Sequence, residues 1–207
     1  MLKPTGSRCN LACRYCYYLE KQKFYPEQVP LSDELLETFI RQYLEAQTMP
    51  QVLFTWHGGE PLLLPLSFYQ RALELQQRYA HGRLIDNCLQ TNGTLLTDEW
   101  CEFLRENHFL VGISIDGPQT FHDAYRCHSF EKVMRGIRLL QKHHVEWNAM
   151  ATVNHLNADD PVGFYRVFKE IGCQYLQFTP VVERVSQRDT SVTPEQWGRF
   201  LCGVYDE

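Results

Sequence analysis

A chain of 207 residues, 44% hydrophobic and 22% charged, has the size and composition of one domain with a sizeable buried core. Its formal net charge of −5 argues against nucleic acid or an anionic membrane as the main partner, since both recruit basic faces. No apolar run approaches the roughly 20 residues of a membrane span, and Met1-Leu2-Lys3-Pro4 lacks the apolar stretch of a secretion signal, so a cytoplasmic protein is expected.

In chain order, a short β-prone run at Met1-Leu2-Lys3 leads into three closely spaced cysteines and then a helix opened by Ser32, with Leu36, Ile40 and Leu44 on one side. Strands are predicted at 52–56, 84–89, 109–115, 145–152 and 175–178. Each is short and apolar, as strands buried on both faces of a parallel sheet would be. Between them the helix starts are legible. Ser67 with Gln70 reads as a capping box, Thr97 and Ser129 as caps, Asp160-Pro161 as a cap with proline at the first helical position, and Thr193-Pro194-Glu195-Gln196 as both together. The polar stretch from Glu183 to Thr190 reads as a loop. Six β-then-α units with right-handed crossovers require a parallel sheet covered by helices, an α/β fold that is either a doubly wound sheet or a barrel.

Of the eight cysteines, three stand in Cys9-Asn10-Leu11-Ala12-Cys13-Arg14-Tyr15-Cys16 and the other five are scattered singly. A chain this large does not need disulfide staples, so the cluster points to metal. Three thiolates can each take one iron of a [4Fe–4S] cube and leave the fourth iron open for chemistry. Structural zinc would require a fourth cysteine or histidine, and the nearest downstream candidate, His57, belongs to a different kind of motif. In parallel α/β folds the working residues gather where strands end. Three such ends are unusual here: His57-Gly58-Gly59-Glu60-Pro61, Gln90-Thr91-Asn92-Gly93-Thr94 and Ser114-Ile115-Asp116-Gly117-Pro118. Glycines let a backbone approach a ligand closely, and Glu60 offers a carboxylate to an ammonium group. Asn-Gly and Asp-Gly are also ordinary turn chemistry.

The cysteine spacing, with aromatic Tyr15 before the third thiol, resembles the radical S-adenosylmethionine (SAM) superfamily. That resemblance implies a partial (β/α)6 barrel over residues 1–207, with a [4Fe–4S] cluster on Cys9, Cys13 and Cys16 and SAM on the open iron. It also implies contacts to SAM from Gly58, Gly59 and Glu60, which resemble the GGE motif, and from Asn92, Ser114 and Asp116 around the methionyl and ribose groups. Arg126 would face the SAM carboxylate, and Leu176 the adenine or the reacting carbon.

Longer phrases resemble the anaerobic sulfatase-maturating enzymes, among them Lys3-Pro4-Thr5-Gly6, Thr55-Trp56-His57-Gly58-Gly59-Glu60-Pro61 and Gln177-Phe178-Thr179-Pro180-Val181-Val182-Glu183-Arg184. This implies SAM cleavage to a 5′-deoxyadenosyl radical and oxidation of a cysteine or serine to Cα-formylglycine. The target would lie in a Cys/Ser-x-Pro-x-Arg segment of a sulfatase polypeptide, with Tyr18 and His57 touching that peptide and a ferredoxin or flavodoxin supplying electrons. The alternatives are another peptide-modifying enzyme of the same group and a cluster- and peptide-binding module without turnover. The resemblance further implies that the C-terminal SPASM domain, with its two auxiliary clusters and the general base, lies outside these residues. The loops at 126–129 and 185–193 are expected to be short.

Overall fold

The computed structural model describes residues 1–21, 23–24, 31–182 and 190–207. Its elements are α1 (Tyr18–Lys21), α2 (Asp33–Glu45), β1 (Gln51–Trp56), a 3-10 turn (Pro61–Leu63), α3 (Leu66–Tyr79), β2 (Leu84–Thr91), α4 (Asp98–Glu106), β3 (Leu110–Ser114), α5 (Gln119–Tyr125), α6 (Phe130–Lys142), β4 (Trp147–Val153), α7 (Pro161–Glu170), β5 (Leu176–Pro180) and α8 (Pro194–Asp206). The five strands form one parallel sheet in the order β1-β2-β3-β4-β5. Sequential order with a helix at every crossover gives a half-barrel, so the barrel alternative holds and the doubly wound sheet does not.

The sixth strand, expected at Met1-Leu2-Lys3, is reduced to one parallel bridge from Leu2 to Trp56. Leu2 donates to the Thr55 carbonyl at 2.8 Å and accepts from the His57 amide at 2.9 Å. Pairing stops there because Pro4 has no N–H to give and the chain turns, with the Gly6 amide on the Lys3 carbonyl.

A second difference concerns the strand faces. Val52, Phe54 and Trp56 of β1, Val111 and Ile113 of β3, and Ala149, Ala151 and Val153 of β4 are buried against the helices. Residues of the opposite parity, including Thr55, Cys88, Gln90, Ser114, Thr152, Gln177 and Thr179, turn to the concave side and are more exposed. The strands are therefore not apolar on both faces, as their short hydrophobic runs suggested. The inner wall of the half-barrel is largely polar.

The helix starts follow the sequence where a side chain reaches its own first turn. Ser32, Thr97 and Asp160 accept from Leu35, Trp100 and Gly163, and Thr193 and Gln196 complete a reciprocal capping box. Ser67 does not cap. Pro65 takes the cap position, α3 opens at Leu66, and no side chain caps it. Ser129 stands at its cap position, but its hydroxyl bonds to His122 and the Phe130 amide goes to Asp123 instead. The short α1, α5 and 3-10 turn are too brief to show a period. The expected loop at Glu183 to Thr190 lies, but for its last residue, outside the described residues.

Two aromatic groups dominate the outer packing. Phe54 stacks on Trp56, and Trp56, Phe68, Tyr69, Trp100 and Phe103 continue as an edge-to-face series across β1, α3 and α4. Phe164 of α7 packs on Phe168, Phe178 and Phe200 and fills the space beside Gly117, where a Cβ would lie 2.5 Å from its ring. Phe164→Ala should therefore cost about 3–5 kcal/mol in urea unfolding, whereas Tyr205→Ala, at an exposed position, should change it by no more than about 0.5 kcal/mol.

Candidate cofactor-binding site

The loop carrying the three thiols is held by backbone contacts to the end of β1. Gly59 donates to the Gly6 carbonyl at 2.9 Å and Glu60 to the Arg8 carbonyl at 2.8 Å. A Cβ on Gly59 would stand 2.0 Å from the Arg8 oxygen, and one on Gly58, whose φ is +125°, 2.8 Å from the Gly6 oxygen. Gly58 and Gly59 thus admit the backbone of residues 6–8, and it is this segment of the chain itself that they approach in the structure.

Side chains at the end of β2 continue the attachment. Asn92 donates from Nδ2 to Asn10 Oδ1 at 2.8 Å, Asn10 donates to Thr94 Oγ1 at 2.9 Å, and Thr94 returns to Asn92 Oδ1 at 2.7 Å. Asn92 Nδ2 also lies 3.7 Å from Cys9 Sγ. On the far side the Arg14 amide bonds the Tyr125 carbonyl at 2.9 Å, and the Ala12 amide the Cys127 thiol at 3.3 Å.

Cys13 is buried; Cys9 and Cys16 are partly exposed, and all three are free. Burial raises the Cys9 thiol above its ordinary value and pushes Cys13 up to about 12, with Arg126 opposing the rise at Cys13. Cys16 lies close enough to raise both. Cys9 and Cys13 therefore hold their protons until a metal binds the thiolates and displaces those protons to solvent. Among the described residues no three His, Cys, Asp or Glu side chains converge on one metal ion. An iron–sulfur cube takes each thiolate at a different iron and does not require that convergence. Three neighbouring thiols with a buried guanidinium beside them fit such a cube, whose thiolates carry negative charge.

Two buried carboxylates flank the loop. Glu60 Oε1 accepts from the Leu62 amide at 2.9 Å and Thr91 Oγ1 at 2.7 Å, and Oε2 from the Asn92 amide at 2.8 Å. Complete burial pushes its carboxyl up to about 7 in spite of these three donors. Asp116, also fully buried, accepts from Arg126 Nε at 2.7 Å and from the Tyr15 hydroxyl on Oδ2, and from the Thr152 amide at 2.8 Å on Oδ1. Burial opposes the Arg126 charge, but Asp116 outweighs it and holds the guanidinium protonated. The Arg126 guanidinium lies over the Tyr15 ring at 5.4 Å. Nε is the atom given to Asp116, and among the described residues no hydrogen bond engages the two terminal nitrogens.

Of the residues singled out in the sequence, Cys9, Cys13, Cys16, Gly58, Gly59, Glu60, Asn92, Asp116 and Arg126 come together at the ends of β1 to β3. Ser114 ends β3 with its side chain on the concave parity. Tyr18 and His57 lie side by side, ring centroids 6.4 Å apart, with Lys3 Nζ 4.9 Å from the Tyr18 centroid. The buried Tyr18 hydroxyl makes no well-formed hydrogen bond, and burial lowers the His57 pKa. Leu176 is not brought to this group. It shares its parity with Phe178 and lines an outer groove with Tyr165, Phe168 and Val204 of α7 and α8, while Gln177 and Thr179 have the inward parity. Strand alternation around residues 176–180 was the missed signal. Thr91, Asn10, Thr94, Thr152 and His122 also belong to this group, and no motif assigns them a role because their partners are set by the fold.

Residues 4–168 match the radical SAM superfamily. The chain belongs to that superfamily. It is 60% identical to a serine-type anaerobic sulfatase-maturating enzyme of Bacteroides thetaiotaomicron, over 100% of this chain and 56% of the relative. It is 36% identical to a cysteine-type enzyme of Clostridium perfringens, over 100% of this chain and 59% of the relative. A solved structure described as native anSMEcpe with bound AdoMet and Cp18Cys peptide superposes with a TM-score of 0.89 at 36% identity, covering 99% of this chain and 57% of that one. The chain therefore spans about half the length of the relatives it matches. Streptococcus suis SuiB, at 14% identity and a TM-score of 0.74 over 99% of this chain and 45% of its own, shares the fold.

Two measurements on the metal-free protein check this geometry. Gly59→Ala should cost about 1–3 kcal/mol and free the amides of Gly59 and Glu60 to exchange, as hydrogen-exchange mass spectrometry would show, with the sheet intact by circular dichroism. Glu60 has its folded pKa raised from 4.5 to about 7, so its contribution to stability is fully present below about pH 4.5 and is lost as pH rises through about 7. Wild type should thus lose up to about 3 kcal/mol between about pH 5 and 8 in urea titrations, and Glu60→Gln should lose that slope.

Proposed function

We propose that residues 1–207 form the radical core of an anaerobic sulfatase-maturating enzyme, with a [4Fe–4S] cluster on Cys9, Cys13 and Cys16 and SAM bound beside it. The observation that carries this reading is the three-thiol loop docked on the ends of β1 to β3 beside an Arg126 whose terminal nitrogens make no hydrogen bond among the described residues. The 60% identity to the Bacteroides enzyme supports it. When bound, the cluster supplies the electron that splits SAM into methionine and a 5′-deoxyadenosyl radical, which takes a hydrogen from the target side chain.

The chain's own share is positioning and exclusion of water. Arg126 presents two N–H-bearing nitrogens to the SAM carboxylate, with Asp116 fixing its orientation. The turn at Gly58, Gly59 and Glu60 faces the ammonium end, and Asn92 and Ser114 offer polar atoms to the methionyl and ribose groups. Tyr18 and His57 meet the substrate peptide, the Tyr18 hydroxyl gaining there the well-formed hydrogen bond it lacks among the described residues.

That peptide is a Cys/Ser-x-Pro-x-Arg segment of a sulfatase, as proposed from the sequence. Serine-type relatives match at 60%, 40% and 39%, cysteine-type ones at 36%, 35% and 32%, which favours serine. Electrons come from a ferredoxin or flavodoxin in the cytoplasm, where reductant is at hand.

Anaerobic reconstitution with iron and sulfide tests the reading. Wild type should turn brown and release 5′-deoxyadenosine on dithionite reduction, and Cys13→Ala should do neither. Retention of both by Cys13→Ala would overturn the assignment. Incubation with a Ser-x-Pro-x-Arg peptide should yield the aldehyde by mass spectrometry; cleavage of SAM with peptide left untouched would reject the substrate.

A further inference from the structure

His122 lies wholly buried in α5, between the two partners of the Asp116–Arg126 ion pair. Its Nδ1 accepts the Asp116 amide at 3.3 Å, its Nε2 lies 2.9 Å from Ser129 Oγ, and its backbone carbonyl accepts the Arg126 amide at 2.8 Å. Phe130 closes the site edge-on. A backbone amide can only donate, so Nδ1 is the bare nitrogen. The proton therefore sits on Nε2 and is given to Ser129. An imidazolium would set an N–H against the Asp116 N–H. Burial, reinforced by Arg126, holds the ring neutral, with a pKa lowered to about 4.

We infer that His122 is a positioning residue: in its Nε2–H tautomer it fixes the Asp116 backbone, so that the Asp116 carboxylate aims the Arg126 guanidinium at the carboxylate of the cofactor's amino-acid end. A core side chain chosen only to fill volume here would be apolar, because a buried polar ring must have both its nitrogens satisfied. Both are satisfied, and one partner is the residue that orients Arg126. The inference rests on the proposed role of Arg126, and Arg126→Gln serves as the control for that role.

The test measures the SAM dissociation constant of anaerobically reconstituted protein, iron content and thermal midpoint for His122→Asn, His122→Phe and Arg126→Gln. His122→Asn puts an acceptor oxygen where Nδ1 stood and should bind SAM within about threefold of wild type. His122→Phe should bind about tenfold or more weakly, the cost of losing the positioning bond, with iron content unchanged. Equal affinity in the Phe variant, or equal weakening in Asn and Phe, would overturn the inference. Unchanged affinity in Arg126→Gln would instead overturn the role of Arg126. Nitrogen-15 NMR of histidine-labelled wild type gives a reading that needs no variant: the Nε2–H tautomer supports the inference, and an Nδ1–H tautomer or an imidazolium at neutral pH refutes it.

Discussion

The site depends on how closely two pieces of backbone can meet. Residues 6–8 lie against Gly58 and Gly59 at a separation that leaves no room for a Cβ, and the two amide-to-carbonyl bonds formed there fix where the cysteine loop begins. A glycine pair loses more conformational entropy on folding than other residues would, and that cost is offset only if the docked segment stays docked. The Asn92, Asn10 and Thr94 chain on one side and the Tyr125 and Cys127 contacts on the other secure it. Each acts on a loop whose entry is already set by the glycines.

The second constraint is electrostatic. Asp116 and Arg126 are both removed from water, and a buried pair repays its desolvation only when the remaining hydrogen-bonding capacity is met. Both oxygens of Asp116 are engaged, by Arg126, Tyr15 and Thr152. Arg126 has spare N–H groups, so the unmet demand of the pair sits on the cation. Glu60 shows the opposite case, since all its donors come from the chain and its main work is to join β1 to β2. Two buried carboxylates a short way apart therefore differ in kind, one closed on itself and one holding a cation ready for an anion.

Much of this could be read from the residues in order. The repeated strand and helix units appeared because each strand is short and bounded, and four of the caps because their side chains bond within their own turn. The thiol spacing and the Gly-Gly, Asn-Gly and Asp-Gly strand ends marked the site. What escaped depended on contacts over long sequence distances or on a backbone choice. Pro65 displaced the expected cap at Ser67, Ser129 turned to His122, and Pro4 cut the first strand to one bridge. Leu176 was assigned to the site although, two residues from Phe178 on the same strand, it shares that residue's face toward the helices. His122 gave no signal, because a buried histidine in a polar stretch looks like any surface one until its partners are known.

The lone bridge at Leu2 has an architectural consequence. The five strands pair with one another without any help from the first sixteen residues, so the scaffold and the thiol-bearing segment are separable parts joined at the barrel's rim. Strand pairing therefore does not place the thiols; the rim contacts at Gly6, Arg8, Asn10, Ala12, Arg14 and Tyr15 do.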